Sequence, residues 1–387
     1  MGERSERSAE NRGRERHRRS TVPAAMMVCA LMVGGSGGRA EGQDSAAARQ
    51  QERLDEATRR DGAKLVSLAD EAMTGRSASD FTIGWRNDFF KAQTGTFVPF
   101  TVTVERSMLS TATALMYVRA TRRDTPQASR AGGAGAWGPR VRYPFDLIFP
   151  VDLAGPAGPS IRITRGFAVP PGEYDVYVAL RERAPDPDVP RPRLKAGVLK
   201  QPLSVPDFWA NELATSSVIL ADRIETLSEA PRADEVLERP YAIGEYEIHP
   251  ATDASFRKDR ELIVVFLIYN AMVSADRNFD VRVDYHLFRS VQRTQAPPPG
   301  AAEDHTGDNH PAPRAGEEYV THTNPQRFKP SLMGAHFDPE AGHPMMAGQG
   351  ILLSSFQEGD YRLGITVTDL ISRRTLSRDV MFRVVGS

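Results

Sequence analysis

The chain has 387 residues, with 49 Lys and Arg against 50 Asp and Glu, and a single cysteine. A formal charge of −1 offers no basic face for a nucleic-acid backbone, and one cysteine excludes a disulfide framework. The length exceeds what one ordinary core needs and suits two domains.

Residues 1–19 are polar and basic, with Arg12, Arg14, Arg16, Arg18 and Arg19 crowded ahead of Val22. Val22 to Val33 is then apolar (VPAAMMVCALMV), shorter than the roughly 20 residues a spanning helix requires. It suits the apolar region of a secretory signal peptide, and Gly38-Arg39-Ala40 supplies a small-x-small cleavage step. The expectation is a signal peptide over residues 1–40 and an exported chain that is periplasmic, cell-surface or extracellular. Cleavage would remove Cys29 together with eight Arg and four Glu, which moves the formal charge from −1 to −5. The remaining chain has no thiolate nucleophile, and no later apolar stretch reaches spanning length.

Residues 41–77 form a helical segment in this reading. Leu54, Ala57, Leu65, Leu68 and Ala72 recur at helical spacing with charges between them, and Gly75 ends the pattern. The stripe is thin, so it must pack on a sandwich or on a partner.

From Phe81 onward the period changes to two. Val98, Phe100, Val102 and Val104 share one face of Thr96–Glu105. Strands are also predicted over Ala114–Arg119, Tyr143–Leu153, Ser160–Val169, Tyr174–Leu180 and Leu194–Val205, which places a first β domain at residues 78–206. Asp207 to Thr215 reads as a connector, with Phe208 and Trp209 expected to pack at the domain junction. A second β domain covers residues 216–387. Its Glu261–Asn270 run (ELIVVFLIYN) is nearly continuously apolar, as for a central strand covered on both faces. Phe279 to Arg289 alternates cleanly, and residues 294–316, rich in Pro and Gly, read as a disordered loop.

One correspondence links the halves. Gly172-Glu173-Tyr174 and Gly359-Asp360-Tyr361 both read Gly-acid-Tyr, and each opens the penultimate strand of its half. Glycine permits the turn, and the Tyr turns its ring inward with its hydroxyl free for a backbone carbonyl. This resembles the tyrosine-corner region of immunoglobulin-like sandwiches. The fold class is therefore mainly β: two tandem immunoglobulin-like sandwiches preceded by a signal peptide and one N-terminal helix.

Motifs for chemistry are scarce. There is no Gly-x-Ser-x-Gly elbow, no P-loop and no HExxH pair. The stretch Asp304-His305-Thr306-Gly307-Asp308-Asn309-His310 has metal-ligating residue types, but its Pro-rich flanks argue for a solvated loop. His322, His336 and His343 lie scattered between strands, and His286 falls on the polar face of its strand beside Asp284, facing solvent. Asp88 and Lys91 read as charges that solvate an aromatic-rich turn or pair locally. The residues singled out for ligand binding are aromatic: Trp137, in the Gly-rich loop 131–139, with Trp85 and Tyr143. No cofactor or metal is called for.

The segments Phe89–Phe100 (FFKAQTGTFVPF) and Phe256-Arg257-Lys258-Asp259 resemble a group of uncharacterised exported tandem β-sandwich proteins of acidobacteria-like soil bacteria. That resemblance covers most of residues 60–386 and brings no catalytic motif, so it assigns no functional residue. The functional expectation is an exported, non-catalytic protein that presents an interaction or structural surface to an envelope protein or a glycan. The alternatives are a carbohydrate-binding module that uses exposed aromatics, and a hydrolase with a loop-built site.

Overall fold

The computed structural model describes residues 56–76, 79–124, 143–155, 158–183, 193–291, 311–334, 337–339 and 342–386. The proposed signal segment, Trp137 and the Asp304–His310 stretch lie outside these residues.

The chain is mainly β. Helix α1 spans Glu56–Met73. The first half then contributes β1 (Gly84–Asn87), β2 (Phe90–Lys91), β3 (Thr96–Glu105), β4 (Thr113–Arg122), β5 (Phe145–Asp152), β6 (Ser160–Val169), β7 (Gly172–Glu182) and β8 (Ala196–Val205). The second half contributes β9 (Ala214–Thr215), β10 (Ile219–Thr226), β11 (Ala242–Ile243), β12 (Tyr246–Pro250), β13 (Ser255–Arg257) and β14 (Glu261–Tyr269). It continues through β15 (Val281–Ser290), β16 (Glu317–His322), β17 (Gln326–Phe328), β18 (Met345–Leu352), β19 (Gly359–Asp369) and β20 (Thr375–Val385).

Both halves follow one topology. In the first, β3 lies between β6 and the short strands β1 and β2, and this sheet faces a second one ordered β5-β4-β7-β8. In the second, β14 lies between β18 and the pair β9 and β10, facing a sheet in which β15, β19 and β20 are neighbours and β16 and β17 flank β15. Strands β3, β4, β6, β7 and β8 thus correspond to β14, β15, β18, β19 and β20. The tyrosine corners fall at equivalent places. Tyr174, at the start of β7, donates its hydroxyl to Pro170 O at 2.8 Å, and Tyr361, at the start of β19, donates to Gln357 O at 2.7 Å. Gly172 and Gly359 precede them at φ 142° and 145°, a region that excludes most side chains.

The predicted periodicities account for the cores. Val98, Phe100, Val102 and Val104 of β3 enter the first core, which also takes in Leu237 from the segment after β10. Val281, Val283, Tyr285 and Leu287 of β15 enter the second. Several strands bury both faces, β4 and β14 among them. On β4, Met116 and Val118 face the first core, while Leu115 and Tyr117 face Leu65 and Ala69 of α1. On β14, Val264, Phe266 and Ile268 face the second core, while Val265, Leu267 and Tyr269 face a third apolar cluster at the junction of the halves. Burial on both sides is why Glu261–Asn270 lacks alternation.

Helix α1 is locked to its sheet by Arg119, whose side chain is buried on the outer face of β4. Arg119 donates to Asp70 at 2.6 Å and to the Tyr117 hydroxyl at 2.6 Å, and its guanidinium sits 4.1 Å from the Tyr143 ring centroid. Gly75, at φ 76°, ends the helix as expected, with the Arg76 amide closing back onto Glu71 O.

Candidate functional site

The junction cluster gathers Phe90 of β2 and Phe208 of the connector with Ile219, Tyr241, Val265, Leu267 and Tyr269. Polar bonds cross the same seam. Ser217 Oγ accepts from the Phe89 amide at 2.9 Å, and the Tyr241 hydroxyl donates to Asp88 at 2.6 Å. The Lys91 amide donates to the Tyr269 hydroxyl at 3.1 Å, and Arg86 donates to Ala251 O at 2.8 Å. The sequence reading placed Asp88 and Lys91 in solvent or in local pairs. Asp88 is instead buried, and both residues bond across the junction, because the chain folds β2 against the end of β14, some 180 residues away.

Beside this seam lies an open groove of about 890 Å³. Its floor is the end of β14. Asn270 there adopts a left-handed conformation at φ 59°, which Asn tolerates better than most residues. Its amide donates to Phe208 O and to Glu212 O, each at 2.9 Å, and its oxygen accepts from Lys91 Nζ at 2.8 Å. Lys91 Nζ also lies 4.2 Å from the Trp209 ring centroid, a cation–π distance. Burial lowers the pKa of the Lys91 ammonium, and the charge of Asp207 opposes that shift. Trp209 is held by its indole N–H, which donates to Gly95 O at 3.1 Å, yet 47% of it is exposed. Phe208 packs into the junction as predicted; Trp209 does not, and lines the groove instead.

The opposite wall is the turn after β19. Asp369 is buried, and it accepts from the Met272, Ile371 and Ser372 amides at 2.8, 2.9 and 3.2 Å and from Ser372 Oγ at 2.7 Å. Its charge is therefore spent on the backbone. His343 also lines the groove, and its Nδ1 accepts from the Asp338 amide at 3.0 Å. Met272, 49% exposed, and Arg374 also line the groove. The groove therefore presents an aromatic ring, a thioether and two cations.

Two of the aromatic residues singled out in the sequence, Trp85 and Tyr143, lie elsewhere. Trp85 stacks on buried Phe100, with ring centroids 4.7 Å apart, and donates to Asn87 at 2.9 Å. Tyr143 caps Arg119 on the helix-covered face of the other sheet. The structure does not bring these two together. Connector spacing gave no signal for the groove residues Lys91, Trp209, Met272 and Arg374. The one trace was the polar Asn270 that closes an apolar run.

His286 lies on the polar face of β15 as expected, half-buried there against Tyr319 and His322, with ring centroids 6.1 and 6.0 Å away.

No protein-family model and no curated protein matches the chain. Among solved structures, a crystal structure of a Salmonella alpha-2-macroglobulin mutant is similar over 80% of this chain, at 10% identity and a TM-score of 0.20. This chain spans 15% of the length of that one.

Proposed function

We propose that this chain is an exported, non-catalytic binding protein, and that the groove at the junction of its two sandwiches takes an extended, acidic segment of an envelope protein. The observation that carries the reading is the lining. Trp209 and Met272 are large apolar side chains left exposed, and Lys91 and Arg374 stand beside them. Exposed aromatics next to cations are typical of interaction hot spots. The titratable groups there already serve the fold: Asp369 binds backbone amides, His343 binds the Asp338 amide and Lys91 binds Asn270.

The test is a display library of random peptides panned against the wild-type chain and against Trp209→Ser and Arg374→Glu. Acidic peptides enriched on the wild type and lost on both variants are the expected result. Enrichment that ignores both substitutions, or measured turnover of any substrate, overturns the reading. The exposed Trp209 ring also favours a second reading, a glycan stacked on that indole. A glycan array that responds to Trp209→Ala but not to Arg374→Glu would select it.

A further inference from the structure

We propose that His286, Tyr319 and His322 form a binding site for a single divalent transition-metal ion of the copper–zinc class, on the outer face of the sheet built around β15 and β19.

Register brings the ligands together. His286 of β15 pairs directly with His322 of β16, so both imidazoles project from one face at the spacing of a cross-strand pair. Tyr319 lies three residues before His322, and a regular strand would turn it to the opposite face. The pairing slips between Leu287 and Phe288, which takes Val320 out of register and sets Tyr319 opposite Phe288. A bulge of this kind re-aims a side chain. Here it returns the phenol to the histidine face.

The donor atoms converge. Tyr319 Oη is 2.9 Å from His322 Nδ1 and 3.5 Å from His286 Nδ1. Ligands about 2.0–2.1 Å from a tetrahedral zinc stand about 3.3 Å apart, so these separations suit a shared ion. Imidazole nitrogen is a good donor for zinc, copper and nickel. Among the described residues no three His, Cys, Asp or Glu side chains gather in this way, and the phenol is what makes up the third ligand.

The tyrosine is also held in place. Its ring meets Phe288 edge-on, with centroids 5.6 Å apart. Buried Phe288 lies under the Arg362 guanidinium at 4.0 Å, and Arg362 forms a two-point pair with Glu317 on the same strand as Tyr319. A ligand supported from beneath is preorganised. On binding, each neutral imidazole gives its Nδ1 lone pair and the phenol releases its proton to solvent. Nothing is oxidised or reduced, and the remaining coordination positions go to water or to an incoming ligand.

The experiment titrates Cu²⁺ or Zn²⁺ alone into the full chain without a histidine tag, by calorimetry. His286→Gln, His322→Gln, Tyr319→Phe and a paired His305→Gln, His310→Gln variant are titrated alongside. The expected result is one ion per chain, with affinity reduced at least about tenfold by each of the first three substitutions and unchanged by the pair. Tyr319→Phe should also abolish the tyrosinate-to-copper absorption band. Paramagnetic broadening of the His286 and His322 ring protons by Cu²⁺ reports on the wild type even if a variant fails to fold. No one-to-one binding, binding indifferent to His286 and His322, loss only in the 305/310 pair, or indifference to Tyr319→Phe would each overturn the site.

Discussion

The Tyr241 hydroxyl donates to Asp88 at 2.6 Å, and this buried bond joins the turn before β2 to the segment before β11 in the other half of the chain. Burial raises the Asp88 pKa above its ordinary value, against the pull of the Tyr241 bond and the Arg86 charge. A raised folded-state value means that the folded chain keeps a proton where the unfolded chain has lost it. The charged form therefore destabilises the fold at neutral pH, and that cost fades as pH falls through the raised value. Asp88→Asn keeps an oxygen for the Tyr241 hydroxyl, so its Tm at neutral pH should equal or exceed that of the wild type, with the gap narrowing in mild acid. Thermal melts across that range check the sign. Tyr241→Phe, which takes one donor from the buried carboxylate and leaves it Ser217, should cost about 1–3 kcal/mol.

Glu182 shows the opposite behaviour. It is buried at the end of β7, which pushes its pKa upward, but amide bonds from Ser110, Lys195 and Thr111 outweigh this and hold the carboxyl below its ordinary range. A lowered value contributes stability above the ordinary range that is lost as pH falls through the folded-state value. Glu182→Gln places an amide donor against one of these N–H groups and should lower stability by about 1–3 kcal/mol at neutral pH. Chemical denaturation of the two chains at neutral and acid pH should show that difference shrinking as acid protonates the wild-type residue.

Asp70 is the half-exposed partner of a buried arginine. Asp70→Ala leaves Arg119 with its charge uncompensated under α1. Breaking a buried pair from one side costs about 3–5 kcal/mol, and the exposure of Asp70 puts this case at or below the lower end. Hydrogen exchange should accelerate across Glu56–Met73 while the strands of the second half keep their protection. Uniform acceleration over the whole chain would mean that the clamp is not local to the helix.

The two tyrosine corners are matched in geometry and should be matched in energy. Tyr174→Phe and Tyr361→Phe each remove one hydroxyl-to-carbonyl bond, worth about 0.5–1.5 kcal/mol. Stability losses that agree within error, measured by denaturant midpoint at unchanged slope, are expected. A silent substitution at either site would show that its corner is decorative.

These predictions rest on features of unequal legibility. Strand periods were plain where one face is apolar: the β3 pattern of Val98 to Val104 and the β15 pattern of Val281 to Leu287 fell where alternation placed them. The corners were readable because Gly-acid-Tyr is a local signal repeated at equivalent points. The groove was not, since Lys91, Trp209, Asn270 and Arg374 are far apart in the chain and meet only after the halves have docked. The surroundings of Trp85 were hidden for a related reason. A tryptophan beside an aromatic-rich turn carries no mark of the Phe100 ring on which it stacks. The Tyr319 placement depends on a bulge, and a single extra residue in a strand leaves no periodic trace.

Strand β14 also has a calorimetric consequence. Its alternate residues belong to two different cores, one inside the second sandwich and one against the first. Melting either sandwich would strip one side of that strand and expose Val265, Leu267 and Tyr269, or Val264, Phe266 and Ile268, to water. The halves should therefore absorb heat in a single endotherm whose van't Hoff enthalpy matches the full calorimetric enthalpy, so that the pair, and not the individual sandwich, is the unit that folds.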